Sequence, residues 1–107
     1  MSYGSIEDTD IPIVLALAFT ESGLNYNAKH KNNEAKGICG IVPKYWNDVL
    51  KEHHVKINSL NACLVVYKEL LNKHKNKRAT IKAYKGIETK SNMWIVDKTI
   101  EIERGLK

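Results

Sequence analysis

The longest unbroken apolar stretch of the chain, "IPIVLALAF", runs from Ile11 to Phe19. It has no polar face, the pattern of a helix enclosed by protein rather than one lying on a surface. Asp10 is placed to cap it, Pro12 falls in its first turn and Gly23 offers a C-terminal stop. The pattern predicts a buried central helix that ends at "TESG". Residues 25–36, "NYNAKHKNNEAK", are polar and rich in Asn and Lys. They read as an irregular surface loop, with room for a minimal hairpin around Asn32 and Asn33.

"GICGIVPKYW" follows, with Gly37 and Gly40 three positions apart and then Pro43. The glycines indicate a tight turn or a close approach of the backbone to something, and Pro43 opens a helix predicted to reach about His53. Beyond Asn58 and Ser59, either of which can cap, Leu60, Leu64, Tyr67 and Leu71 recur at i, i+4, i+7 and i+11, the clearest amphipathic helix of the chain. "KNKRATIKAYKG" reads as a short helix stopped by Gly86, and "SNMWIVDKTIEIERG" as a last one, capped by Ser91 or Asn92 and stopped by Gly105. No strand-period segment of useful length, internal repeat or linker interrupts this series. The expectation is an all-α fold of about five helices in a single domain spanning 1–107, a length suited to one modest core.

Charge narrows the partners without selecting one. Seventeen basic against twelve acidic side chains leave a net charge of +5, which favours a polyanion: nucleic acid, an anionic membrane or a bacterial wall polymer. The lysine runs "KHKNNEAK" and "KHKNKR" read as solvated faces that also attract such a polymer. His30, His53, His54 and His74 are scattered among lysines without a metal-ligand spacing, so they read as surface residues, and no metal or other cofactor is expected. Cys39 and Cys63 are too few for a disulfide framework and read as two buried thiols, their meeting in space left open. "MSYGSIEDTD" is polar and acidic, unlike a secretory signal, and the Ile11 to Phe19 stretch is too short to span a bilayer. No membrane insertion is expected, and any export must come from elsewhere.

Chemistry centres on Glu21. A lone carboxylate at the end of so apolar a helix is costly to ionise, and apolar surroundings raise a carboxyl pKa. A carboxyl kept protonated near neutral pH is what glycosidic cleavage requires, because the departing oxygen needs a proton. Hydrolytic glycosidases usually add a second carboxylate, for which Glu34 is the better candidate and Asp48 the other. Tyr45, Trp46 and Trp94 are candidate sugar-stacking platforms, with core packing as the alternative.

"ESG" at the end of an apolar helix, "AKGICGIVP" and "AYKG" resemble, in order and approximate spacing, the lytic transglycosylase family of lysozyme-like peptidoglycan-cleaving enzymes. The likeness extends from Ile13 to about Gly86. It implies a lysozyme-like α domain with Glu21 as the catalytic acid and then base, and Ser22 beside it. It further implies that Gly37, Ile38, Cys39, Gly40 and Ile41 line the sugar cleft, and that Tyr84 lies close to the catalytic carboxyl. The implied reaction breaks the β-1,4 bond between N-acetylmuramic acid and N-acetylglucosamine. The substrate's N-acetyl group assists departure, and an anhydro ring closes without water. Two positions depart from the family pattern: Gly40 stands where glutamine is usual, and Lys85 where asparagine is usual.

The expected partner is thus the peptidoglycan glycan strand, met by a monomer at the bacterial cell wall or periplasm, in a phage or a secretion apparatus. Two other readings of the same fold are a muramidase using water and Glu34, and a non-catalytic glycan-binding module, the latter motivated by Gly40 and Lys85. A nucleic-acid-binding domain is disfavoured, since the basic residues form no concentrated basic helix or reader motif.

Overall fold

The computed structural model describes residues 10–27, 30, 34–85 and 93–106. Five helices account for most of them: α1 (Ile11–Ser22), α2 (Pro43–Glu52), α3 (Leu60–His74), α4 (Lys77–Lys85) and α5 (Met93–Gly105). No strand occurs among the described residues; one isolated antiparallel bridge joins Lys36 to Ile41. The all-α expectation holds. The proposed turn at Asn32 and Asn33, the Gly86 stop and the caps at Ser91 or Asn92 lie outside the described residues.

Local chemistry fixes the helix ends. Pro43 occupies the first turn of α2, Ser59 caps α3 by accepting a 3.1 Å hydrogen bond from the Ala62 amide, and Asn76 Oδ1 does the same for α4 from the Ala79 amide at 3.0 Å. Gly23 ends α1 in the left-handed conformation at φ 67°, with its amide donating to the Phe19 carbonyl. Asp10 stands at the N-cap of α1 without bonding a helix amide; its carboxylate pairs with Lys68 of α3 at 3.5 Å instead. That pair draws the start of α1 to α3.

The core lies between α1 and α3. Six consecutive residues of α3, Ala62 to Tyr67, are buried, and α1 contributes Ile13, Val14, Ala16, Leu17 and Ala18. Helix α5 packs along α1, α4 packs on α3 and α5, and α2 closes the remaining side through Leu50. The α1 stripe of Ile11, Leu15 and Phe19 is not fully covered, so that helix has an outer edge. Ile38, Cys39 and Ile41 of the glycine turn also enter the core.

The two cysteines correct the sequence reading. Both are fully buried, as expected, but they are joined as a Cys39–Cys63 disulfide, with their Cα atoms 5.7 Å apart. Twenty-four positions separate them in sequence, so only the tertiary fold could bring them together. The bond fastens the turn between Lys36 and Ile41 to the centre of α3.

Candidate functional site

The glycine turn is held from several sides. Lys36 and Ile41 exchange both backbone hydrogen bonds, at 2.8 and 2.9 Å, around a four-residue loop. Ser22 Oγ donates to the Ile38 carbonyl at 2.6 Å, and the Ile38 amide donates to Asn58 Oδ1 at 3.0 Å. Tyr84 of α4 donates its hydroxyl hydrogen bond to the Cys39 carbonyl at 3.2 Å. Together with the disulfide, these bonds seat one short turn on α1, α3, α4 and the residue preceding Ser59. The result is a rigid floor beside the end of α1.

Over that floor lies a cleft of about 710 Å³. Thr20 and Glu21 from α1, Gly40 and Ile41 from the turn, Tyr45 and Trp46 from α2, and Ala83, Tyr84 and Lys85 from α4 line it, with His30 and Ile95 at its sides. Five of the sequence-derived site residues thus meet in one place: Glu21, Gly40, Ile41, Tyr84 and Lys85. Ser22, Gly37, Ile38 and Cys39 do not line the cleft; they build the turn beneath it. Glu34 is exposed in the loop and does not reach the lining either, nor does Asp48. Of the three aromatic candidates, Tyr45 and Trp46 line the cleft, whereas Trp94 is exposed on α5 outside it.

Glu21 has a different setting from the purely apolar one its sequence neighbours imply. Lys85 Nζ sits 2.8 Å from Glu21 Oε1, and the lysine side chain is 4% exposed against 20% for the glutamate. The same ammonium donates to Thr20 Oγ1, which lies 3.0 Å from the Ala16 carbonyl and 3.3 Å from Thr99 Oγ1. Burial lowers the Lys85 pKa, an effect that the neighbouring Glu21 carboxylate partly offsets. The hydroxyl of Tyr84 is pushed well above its ordinary value, by burial first and by the Glu21 charge second, so it stays a neutral hydrogen-bond donor. Lys85 sets a compensating charge against Glu21. Sequence alone leaves its direction undefined, because it depends on how α4 packs.

Gly40 also has a physical explanation. It adopts φ +60°, and a Cβ built there would lie 2.7 Å from Glu21 Oε2 and 3.1 Å from both Cε1 and Nδ1 of His30. The close neighbours implied by the glycine spacing are therefore the carboxylate and an imidazole. His30, expected at the surface, is a half-buried member of the cleft, with Nε2 bonded to the Gly37 carbonyl at 2.7 Å. The only sequence signal for it was indirect, in the absence of a side chain at position 40. No group of three or more metal-ligating side chains occurs among the described residues.

No protein-family model, curated sequence or solved structure matches the chain.

Proposed function

We propose that this protein cleaves the β-1,4 bond between N-acetylmuramic acid and N-acetylglucosamine in peptidoglycan by the non-hydrolytic, transglycosylase route, with Glu21 as the acid. One observation carries the reading. Three segments remote in sequence, the end of α1, the glycine turn and the end of α4, converge on one cleft with Glu21 on its wall and Tyr45 and Trp46 beside it. Aromatic rings next to a carboxyl suit a sugar, whose apolar ring face stacks while its hydroxyls remain bonded.

Chemically, Glu21 gives its proton to the glycosidic oxygen as the substrate's N-acetyl group assists departure from the muramic acid carbon. The carboxylate left after donation forms 2.8 Å from the Lys85 ammonium, which is already in place and needs no reorganisation. Glu21 is the only carboxylate among the described cleft-lining residues, which favours the single-glutamate route over a hydrolase built on Glu34. The buried disulfide supports an oxidising compartment such as the periplasm or cell wall as the place of action.

Digesting purified cell walls with the protein and with Glu21→Gln, followed by mass spectrometry of the soluble muropeptides, tests the proposal. Anhydromuramoyl ends from the wild type alone support it. Reducing ends would indicate a hydrolase, and binding of wall fragments without turnover a non-catalytic module.

A further inference from the structure

His30 is an ionisable cleft residue that neither the motif register nor the proposed reaction uses. Its partner at Nε2 is a carbonyl oxygen, the Gly37 carbonyl at 2.7 Å, which can only accept. Nε2 must therefore carry the hydrogen, and the neutral ring keeps its lone pair on Nδ1. The ring edge formed by Cε1 and Nδ1 lies close to Gly40, and Glu21 Oε2 lies close to the same glycine. A substituent as small as one methyl group would touch both. The absence of a side chain at Gly40 thus lets the imidazole Nδ1 edge and Glu21 Oε2 approach one point of the cleft wall.

We propose that His30 is the second proton-handling side chain of the cleft, taking the proton of the hydroxyl that closes the anhydro ring. This rests on the transglycosylase reading above. Glu21 first gives its proton to the departing oxygen, and the bond from that oxygen to the muramic acid carbon breaks. The 6-hydroxyl of the same sugar then attacks that carbon, forming the new carbon–oxygen bond, and its proton passes to His30 Nδ1. Once the product leaves, the imidazolium gives this proton to solvent and the Glu21 carboxylate takes one from solvent, restoring both groups with no net consumption of water.

The geometry gives a reason for a second base. After the first step the Glu21 carboxylate is clamped through Oε1 by Lys85 at 2.8 Å, and a carboxylate stabilised by an ammonium is a weak acceptor for a sugar hydroxyl. An imidazole whose Nε2 carries the hydrogen instead presents a lone pair at Nδ1 for that proton. Among the described residues, the other ionisable groups lining this space are Tyr84 and Lys85 from α4 and Tyr45 from α2. Tyr84 is held neutral by burial and Lys85 is engaged by Glu21, so neither competes for the proton.

The test compares wild type, His30→Ala and His30→Gln for anhydromuropeptide release from purified walls and for binding of chitotetraose. Glutamine can still donate to the Gly37 carbonyl but has no basic nitrogen, so His30→Gln guards against a folding defect. The proposal expects both variants to release product at least about tenfold more slowly, within the range that general base catalysis supplies. It also expects chitotetraose affinity within twofold of wild type, and added imidazole to restore part of the rate of His30→Ala. Wild-type turnover by His30→Gln would overturn the proposal and leave His30 a strut for the turn. So would parallel loss of binding and rate without rescue, which would make it a sugar-positioning residue. A wild-type protein that releases no anhydro product rejects the transglycosylase reading itself, and the His30 role with it.

Discussion

Gly40→Ala separates the stability of this fold from the arrangement of its site. Alanine at φ +60° carries the left-handed backbone cost, roughly 1–2 kcal/mol. Gly23 offers a matched control: its φ is +67°, but an added Cβ there meets nothing within 4 Å. Gly23→Ala therefore measures the backbone term alone. At position 40 the added carbon also lies 2.7 Å from Glu21 Oε2, closer than real Cβ contacts come. That oxygen ends a flexible side chain, so the fold relieves the contact cheaply by turning the carboxylate away. The turn disturbs its pairing with Lys85 and its place against the substrate. Both variants should lose a similar roughly 5–15 °C in melting temperature, the usual effect of 1–2 kcal/mol in a domain of this size. Their activities should part: Gly23→Ala keeps wall-cleaving activity at a permissive temperature, while Gly40→Ala loses about a hundredfold, as displacement of a reacting group by about 1 Å can cost. Gly40→Gln, with a larger side chain, should do no better. Thermal unfolding by circular dichroism and mass-spectrometric product release supply the two readouts. Gly40→Ala with activity within threefold of Gly23→Ala would refute the reasoning.

Lys85→Met should lower the cleavage rate by about tenfold or more while glycan binding persists, because the carboxylate formed on proton donation loses its ammonium; steady-state rates alongside glycan titrations check this. Reducing the buried Cys39–Cys63 bond, or Cys63→Ser, should cost about 3.5 kcal/mol of unfolding free energy, the chain-entropy value for a loop of this length. Urea denaturation with and without reductant measures it. Tyr67, buried and near Glu103, has its pKa pushed up to about 12 from 10, by burial first and by the Glu103 charge second. Between those values the unfolded chain releases a proton that the folded one keeps, so its contribution is complete below pH 10 and falls away by about pH 12. The loss is roughly 2–3 kcal/mol. Denaturation midpoints across that window should fall, and less steeply in Tyr67→Phe.

What the sequence revealed was mostly local. Pro43, Ser59, Gly23 and Gly105 act on their own neighbourhoods, so the helix limits they set were readable to within a residue or two. The periodicity of Leu60, Leu64, Tyr67 and Leu71 located α3 for the same reason. The convergence of Glu21, Gly40 and Tyr84 was readable because three short motifs stood in register. Asp10 went to Lys68 rather than to a helix amide, a choice made by the packing of α1 on α3. His30 was misjudged for a related reason: it sits in a lysine-rich, polar stretch, and only the tertiary arrangement at the end of α1 brings its side chain into the cleft, just as it gives Lys85 the direction that its sequence left undefined. The disulfide escaped likewise, since two cysteines alone give no register.

The most direct test of the central claim is the mass spectrum of muropeptides released from purified peptidoglycan by the wild type and by Glu21→Gln. The account predicts products ending in 1,6-anhydromuramic acid from the wild type and none above background from the variant. Equal release by both proteins, or no soluble glycan from either, would contradict it.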